Sequence, residues 1–144
     1  MAHGNEMRAS WMAVLAKAPS GRLAALMPDL PAHDILRAPE IGAIMVEGRI
    51  GGTGARFNLG EMTVTRCSVR LDGAEGHACI QGRDKDHARR AAVLDALMQG
   101  GAAARIRAEV LDPLTGAATA TRRARAEKAA ATKVEFFTMM RGED

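Results

Sequence analysis

Aromatic side chains are scarce in this sequence. Its 144 residues include three Phe, one Trp and no Tyr, which together make up 3% of the chain. Proteins that bind single-stranded nucleic acid stack the bases on exposed rings, so this scarcity argues against that class. Cysteine is scarce as well, because Cys67 and Cys79 are too few for a disulfide-stabilised scaffold. The composition therefore predicts neither a nucleic-acid partner nor a disulfide framework.

Long apolar runs are also missing. The sequence has no stretch of about 18 apolar residues, so we expect no transmembrane helix and no membrane partner. Residues 1–6 lack the basic segment and apolar core of a secretory signal, and a cytoplasmic location is the expectation. The net charge of +3 is typical of an ordinary solvated surface, although it also favours anionic partners such as phosphates and nucleotides.

The chain length and the spacing of its apolar residues predict a single domain of the α+β class over residues 1–144. We expect a small, mainly antiparallel sheet, with N-terminal helices and two further helical segments packed on it. Segment 34–37 is expected to form at most a helical turn. The predicted strands are 41–49, 61–71, 76–83 and 133–140.

The N-terminal and central helices have clear end signals. Apolar spacing predicts a helix over 6–18, which Pro19 ends. Ser20 is expected to be the N-cap of a second, short helix. Asp84 is a good N-cap for an amphipathic helix that runs to Gln99, where two glycines follow. These signals place helices before and after the predicted hairpins along the chain.

The C-terminal third contains a predicted helix and a predicted strand. Segment 105–131 is rich in Ala and Arg and predicts helix, which Pro113 and Gly116 are expected to kink or divide. Neighbouring side chains of a strand alternate sides, so the apolar residues of 133–140 cannot all face one small core. We expect a partner, or a second copy of the chain in isolation, to cover some of Phe136, Phe137, Met139 and Met140.

A glycine-dense loop at 48–54 invites comparison with nucleotide-binding loops. It lacks the Gly-Lys-Ser/Thr ending of a P-loop, and it does not open a helix as the dinucleotide fingerprint requires. Two interpretations remain. The first is a wide hairpin connection whose glycines supply positive φ angles. The second is an anion-binding nest of backbone N–H groups beside Arg49 and Arg56.

The predicted strand 61–71 has two unlike faces. One face carries threonine, cysteine and apolar side chains, from Thr63 to Leu71. The other face begins with apolar residues and changes halfway along the strand to Arg66 and Arg70. These arginines are either solvated or lie beneath an anionic ligand or a partner. Glu61 is a candidate general base if it is buried at the loop rim, or an acid that pairs with Arg66 or Arg83. No nucleophile motif lies near the four histidines, so catalytic residues stay unassigned.

Cys67, Cys79 and His77 are the nearest approach to a metal-ligand set. If the hairpin turns around Gly73, Cys67 lies roughly opposite Cys79, with His77 on the same face. The short spacings between ligands that structural zinc sites use are missing, so we expect no metal and two buried, free thiols. The same arithmetic predicts that the two thiols lie near each other on adjacent strands and stay reduced.

Three stretches together resemble one known family. They are GRIGGTGARFNLGEMTVTRC at 48–67, GRDK at 82–85 and ATKVEFFTMMRGE at 131–143, and an Arg8-x-x-Trp11 motif precedes them. Nearly the whole chain is similar to the PhnG family, subunits of the bacterial carbon–phosphorus lyase system. The resemblance implies a role with PhnH, PhnI and PhnL. That role is transfer of the ribose triphosphate moiety of ATP to methylphosphonate, which gives α-D-ribose 1-methylphosphonate 5-triphosphate and adenine.

The resemblance also implies a division of labour. A PhnG-like chain belongs to a core complex with PhnH, PhnI and PhnJ, in which PhnI is its most intimate partner and carries the nucleosidase chemistry. No catalytic residue and no cofactor of its own are implied for this chain, since ATP is a substrate of the whole complex. The alternative function is a free-standing anion- or nucleotide-binding domain without catalysis.

Eight residues are candidate contacts for an anion or for a partner subunit. The loop 48–60 is expected either to lie on the path of the anionic substrates or to dock onto PhnI. Arginine forks match phosphate and phosphonate oxygens, and short polar side chains add neutral hydrogen bonds. The candidates are Arg49, Thr53, Arg56, Asn58, Glu61, Arg66, Arg83 and Lys85.

Overall fold

A three-stranded antiparallel sheet with helices on one face forms the α+β fold that the sequence predicts. The computed structural model describes residues 2–141 and the side chains of residues 4–139. The order of the strands in the sheet is the order in which they occur along the chain. The elements are α1 (Ala2–Lys17), α2 (Ser20–Leu26), β1 (Asp34–Arg49), β2 (Arg56–Leu71), β3 (Ala74–Gln81), α3 (Lys85–Met98), α4 (Ala103–Ile106), a π-helical turn (Arg107–Leu111) and α5 (Asp112–Arg141).

The hairpin of β1 and β2 is longer than predicted. β1 begins at Asp34, so segment 34–37 is part of a strand and the predicted helical turn is wrong. The β1–β2 register shifts across Pro39. Because β1 is an edge strand, a proline can lie there without removing a hydrogen bond between strands. This tolerance lets a proline-containing segment continue the strand, and β2 likewise starts earlier than expected, at Arg56.

Helix α3 begins at the predicted N-cap. The Asp84 carboxylate accepts a 2.9 Å hydrogen bond from the backbone N–H of His87. The Ser20 hydroxyl donates a second hydrogen bond to the same carboxylate. Both hydrogen bonds hold the pKa of Asp84 below its ordinary value, and the bond from Ser20 has the larger effect. Ser20 therefore ties α2 to α3 and does not cap α2 as predicted, because Pro19 occupies the N-cap position.

Helix α3 also forms the centre of the hydrophobic core. The sheet approaches it most closely at Gly76 in β3, where a Cβ atom would lie 1.9 Å from the carbonyl oxygen of Ala92. Only glycine permits this approach, since any larger residue would push β3 and α3 apart. The largest buried apolar side chains of the hydrophobic core include Leu15, Leu23, Val69, Ile80, Leu94, Ile106 and Val110.

The β2–β3 hairpin corrects the prediction for the two cysteines. Asp72 and Gly73 both have positive φ, at 49° and 78°, and form a two-residue turn whose centre lies between them. Cys67 therefore pairs with Ala78 and not with Cys79. A shift of one residue moves a side chain to the opposite face of a sheet. Cys67 is buried and Cys79 is exposed, so the predictions that the thiols are close and that both are buried are wrong.

The predicted strand at 133–140 is also wrong. This segment belongs to α5, a helix of 30 residues that runs from Asp112 to Arg141. Ala, Arg, Lys and Glu dominate the preceding part of α5, and these residues have high helix propensity. No strand of the described chain lies beside 133–140, so its β-forming residues have no sheet to join and the helix continues. Gly142 and Glu143 of the family-like stretch lie outside the described residues.

The helix changes its hydrogen-bonding pattern just before Pro113 and is not divided there, and Gly116 has no such effect. A π-helical turn at Arg107–Leu111 directly precedes α5, and the N–H of Asp112, the residue before Pro113, donates to the carbonyl oxygen of Arg107, five residues earlier. Gly116 is an ordinary position within α5. None of the helices within residues 2–141 is long and apolar enough to cross a membrane.

Candidate functional site

The outer part of the β1–β2 hairpin is a projecting arm. We call residues 41–62 the hairpin arm, because none of them is buried. The first buried residue of β2 is Val64, roughly 26 Å along the strand from Arg56. Several apolar side chains of the arm face solvent, namely those of Ile41, Met45, Ile50, Phe57 and Leu59. Part of the family-like stretch 48–67 thus lies on a surface that the core of this chain does not use.

The tip of the hairpin arm is closed by its own backbone. Gly51 and Gly52 have φ angles of 64° and 84°, as expected for a hairpin connection whose glycines supply positive φ. The N–H groups of Thr53 and Gly54 both donate to the carbonyl oxygen of Ile50. An anion-binding nest needs N–H groups that are free to converge on a ligand. Two of the donors that such a nest would require are therefore used within the loop.

Two arginines face each other across the tip. Arg49 and Arg56 are directly paired on β1 and β2. Glu47 lies 3.9 Å from the Arg56 guanidinium, and both side chains are largely exposed. Exposed ion pairs of this length contribute little to stability because water screens them. A shallow concavity at the tip is lined by Glu47, Gly48, Arg49, Gly52 and Arg56.

The structure separates the eight candidate residues into groups. Arg49, Thr53, Arg56 and Asn58 lie at the tip of the hairpin arm, and all four are exposed. Arg66 lies on the same strand as Arg56, roughly 33 Å away. Arg83 and Lys85 lie at the junction of β3 and α3. A single small anion cannot contact the tip and the junction together.

Glu61 lies on the hairpin arm and faces solvent. A general base works within hydrogen-bond reach of its substrate in a site that excludes water, and an exposed position does not exclude water. Among residues 4–139, no ion pair joins Glu61 to Arg66 or Arg83. The side chain is therefore available for contact with another molecule.

A polar cluster covers the solvent-facing side of the sheet. The Ser68 hydroxyl lies 2.8 Å from Nδ1 of His77, and Nε2 of His77 lies 3.8 Å from a Glu75 carboxylate oxygen. Arg70 pairs with the same Glu75 at 3.3 Å. This order of groups resembles a nucleophile with its base, but its side chains lie on an open surface where water screens their charges. Arg70, which belongs to this cluster, and Arg66, which is exposed on the same side of β2, therefore lie on a solvated face.

Asp95, which no sequence pattern identified, accepts more side-chain hydrogen bonds than any other carboxylate within residues 4–139. Asp95 in α3 is fully buried. Its carboxylate accepts hydrogen bonds from Trp11 Nε1 at 2.7 Å, from Arg8 Nη2 at 2.9 Å and from the backbone N–H of His77 at 2.9 Å. The hydrogen bond to Asp95 raises the pKa of the Arg8 guanidinium. The Arg8-x-x-Trp11 motif therefore joins α1 to α3 and β3.

We call Asp95 and its donors, Arg8, Trp11 and the His77 N–H, the Asp95 hub. The sequence contained part of the pattern that identifies it. Asp95 occurs among apolar residues of an amphipathic helix, at a position where an unpaired acid would be unfavourable. Its partners are 87 and 84 residues away along the chain, so no local pattern identifies them. The hub holds the fold together, because Arg8, Trp11 and the His77 N–H satisfy both oxygens of the acid.

The end of α5 presents a second exposed apolar surface. We call Val134, Phe136, Phe137 and Met139 the C-terminal patch; the Phe136 and Phe137 side chains are 59% and 54% exposed. Their ring centroids are 6.1 Å apart. Consecutive helical residues are about 100° apart around the axis, so the patch extends over more than one side of α5. The side chain of Met140 lies outside those that the structure describes.

Every described side chain from Ala118 to Met139 is exposed. A helix that carries apolar residues on several sides is typically buried in its functional state. The C-terminal patch and the hairpin arm are thus two surfaces that this chain does not cover by itself. Among the described residues, no three His, Cys, Asp or Glu side chains are arranged to hold a metal ion.

The two thiols are expected to react at very different rates. Burial raises the pKa of the Cys67 thiol, and the nucleophile in thiol labelling is the thiolate. Cys79 is exposed. A chromogenic disulfide reagent should therefore label one thiol of the native protein rapidly and the second only on unfolding, where both titrate as free. Cys79→Ser should remove the rapid phase, whereas two equally rapid thiols, or a disulfide after denaturation, would contradict this arrangement.

Comparison with known proteins identifies the family. The family model described as "Phosphonate metabolism protein PhnG" matches residues 6–142. The chain is also 46% identical, over 146 aligned positions, to a protein of Rhizobium meliloti (strain 1021). That relative is named "Alpha-D-ribose 1-methylphosphonate 5-triphosphate synthase subunit PhnG", and the match covers 98% of this chain and 93% of the relative. With matches of this extent, the chain belongs to the PhnG family of phosphonate metabolism proteins.

Proposed function

We propose that this chain is a subunit of an α-D-ribose 1-methylphosphonate 5-triphosphate synthase. The observation that carries the proposal is the 46% identity to a protein named as that subunit, over nearly the full length of both chains. The chain acts with PhnH, PhnI and PhnL, and it belongs to a core complex that also contains PhnJ. PhnI is the most intimate of these partners. The location is cytoplasmic, where ATP is available.

The reaction of the complex needs groups that this chain does not provide by itself. A phosphonate oxygen attacks the ribose C1 carbon of ATP, the bond from that carbon to the adenine nitrogen breaks, and adenine leaves. Such a displacement requires precise positioning and exclusion of water. The charged candidates on this chain are exposed and spread over two separate regions. The chain therefore serves as a structural subunit, with no cofactor of its own and with ATP as a substrate of the complex.

The hairpin arm and the C-terminal patch are the docking surfaces of this subunit. Large apolar side chains on both face solvent, and Val134 and Met139 are 64% and 73% exposed. Exposed apolar surface of this kind is typical of protein interfaces. The interior of a small domain cannot bury side chains that extend this far from its core. In isolation, a second copy of the chain is the alternative cover for the C-terminal patch.

A free-standing anion- or nucleotide-binding domain has less support. The tip of the hairpin arm is the best candidate for such a site, but two of its backbone donors bond to Ile50. Glu47 also offsets part of the positive charge at the tip, because it pairs with Arg56. The remaining cation, Arg49, is suited to contact either a phosphate group or a carboxylate of a partner.

Arg49→Ala distinguishes docking from substrate contact. Docking, which we favour because PhnI carries the chemistry, predicts weaker assembly with normal ATP affinity in the complex that still forms. Direct contact predicts an intact complex whose affinity for ATP or methylphosphonate falls by about 1–3 kcal/mol, the value of a lost charge-assisted hydrogen bond. Assembly and ligand affinity are measured on the same preparation, with Arg22→Ala, an exposed residue on α2, as the control. Unchanged values for both would exclude either role for Arg49.

A further inference from the structure

The two halves of β3 differ in how their free edge is covered. β3 is an edge strand, so one side of its backbone has no neighbouring strand. Near the turn, the Glu75 carbonyl oxygen accepts hydrogen bonds from Gln99 at 2.7 Å and from Arg8 at 3.1 Å. The His77 N–H donates to Asp95 at 2.9 Å. Side chains of α1 and α3 thus satisfy the first half of this edge.

The second half of β3 has no such cover. The N–H and C=O of one strand residue point to the same side and those of its neighbours to the other, so the residues that point to the free edge are Glu75, His77, Cys79 and Gln81. Within residues 4–139, no side chain caps the His77 carbonyl oxygen, either backbone group of Cys79 or the Gln81 N–H. An uncovered, regular edge is a template for pairing with another chain.

The other edge of the sheet is a poorer template. Register shifts interrupt β1 in three places, and Pro39 lies in it. Such irregularities and prolines hinder the addition of a strand. The β2–β3 register, by contrast, is continuous from Val64–Gln81 to Leu71–Ala74. The uncovered half of β3 is therefore the regular part of the sheet edge that can accept a new strand.

An apolar groove lies next to this half of β3. Its volume is about 190 Å³, and apolar residues of α1, β3 and α3, among them Met12, Ala13, Ala78 and Ala91, line most of it, together with His77 and Cys79 of β3. No Lys, Arg, Asp or Glu side chain takes part in the lining. Ala78 points to the helix side of the sheet and its neighbours His77 and Cys79 point to the other side, so the groove lies along the edge of β3 beside α1. A strand added to the edge would direct alternate side chains towards this groove.

We infer that the free half of β3, from the His77 carbonyl to the Gln81 N–H, accepts an extended segment of a partner subunit as a fourth strand, with one large apolar side chain of that segment in the groove. The inference rests on the proposed function, because it requires a partner. The edge offers two N–H donors and two carbonyl acceptors along one line, a pattern that extended backbone complements. The alanine lining leaves space that an incoming side chain fills, and its lack of charge favours an apolar one.

The test compares proline and alanine at position 79. Cys79→Pro removes an N–H that points to the free edge, so pairing with β2 remains, whereas Cys79→Ala keeps the N–H. Each full-length variant is titrated against the co-expressed PhnH, PhnI and PhnJ subunits. We expect Cys79→Pro to bind at least tenfold more weakly than Cys79→Ala, because a partner carbonyl loses its hydrogen bond.

Two further measurements test the inference without relying on Cys79→Pro: a substitution that fills the groove, and amide hydrogen exchange of the wild-type chain. Ala13→Trp fills the groove and should also weaken binding at least tenfold, whereas Ser10→Trp, at an exposed position of α1 outside the groove, should not. In the wild-type complex, the Cys79 and Gln81 amides should exchange at least tenfold more slowly than in the free chain. Amide exchange does not depend on whether the proline variant folds.

Each outcome separates this inference from the proposed function. If the complex forms but neither variant weakens it and the two amides are not protected, the strand-addition site is wrong and the subunit role stands. If the free chain forms a dimer that Cys79→Pro abolishes, the occupant is a second copy and not a partner subunit. If the wild-type chain forms no complex, the proposed function is wrong and this inference is wrong with it.

Discussion

Asp95→Ala is expected to lower the free energy of unfolding by about 2–5 kcal/mol, because each N–H donor that loses a buried acceptor costs about 1–3 kcal/mol. The carboxylate is fully buried and accepts hydrogen bonds from α1 and β3. Without it, the Trp11 N–H and the His77 N–H lose their acceptor, and the Arg8 guanidinium loses its counter-charge. Denaturant unfolding followed by circular dichroism measures the effect.

Asp86→Ala is the matched control for this measurement. Asp86 lies in the first turn of the same helix, is exposed, and has only the helix dipole to stabilise it. Its loss should cost about 0.3–1 kcal/mol. Arg8→Met should also be destabilising, because it leaves the fully buried Asp95 without its counter-charge, and its cost should be smaller in the Asp95→Ala background. Equal stabilities of the Asp95→Ala and Asp86→Ala variants would contradict the claim that Asp95 and its hydrogen-bond donors hold the fold together.

The double substitution Phe136→Ser and Phe137→Ser is expected to abolish assembly with the partner subunits while leaving the fold of the free chain unchanged. Both rings are exposed and lie on α5, away from the core cluster. Burying one such side chain contributes about 1.5–3 kcal/mol, so losing two weakens binding by about 100-fold or more. Affinity for the co-expressed PhnH, PhnI and PhnJ subunits measures the effect on assembly.

The control for the C-terminal patch introduces two serines elsewhere on the same helix. Ala118→Ser with Ala120→Ser changes exposed residues of α5 outside the patch, and its cost in helix propensity is larger than that of Phe→Ser, because Ala is the best helix former and Phe and Ser are about equal. This variant should assemble like the wild type. If the two double variants bind equally well, the patch is not an interface. If the phenylalanine variant unfolds at a lower temperature as a free chain, the patch contributes to the fold and the account of α5 is wrong.

Local signals in the sequence predicted the parts of the fold that depend on local chemistry. Asp84 caps α3 because its carboxylate reaches the N–H of His87 three residues on. The Asp72-Gly73 pair forms the predicted turn, since both residues tolerate positive φ. The pairing of the cysteines failed by one position because the turn is centred between two residues and not on Gly73. One residue of register was enough to put the thiols on opposite faces.

The failures elsewhere come from interactions that no local pattern contains. The apolar residues at 133–140 match a strand locally, but α5 reaches them as a continuous helix. The role of Asp95 depends on Arg8 and Trp11, which only the folded chain brings together. The sequence names eight candidate contacts of the site but does not show how far apart they lie. The length of the hairpin arm separates them, because β2 extends from Arg56 at the tip to Arg66 at the base.

Co-purification tests the central claim, that this chain works as a subunit through surfaces it cannot cover alone. The chain is expressed with PhnH, PhnI and PhnJ, the complex is sized, and adenine release from ATP and methylphosphonate is then assayed with PhnL added. The same assay is run on the isolated chain with PhnL. The account predicts a stable complex that contains the chain, and no adenine release by the chain without its partner subunits. A chain that remains monomeric beside its partners, or that releases adenine by itself, would contradict the account.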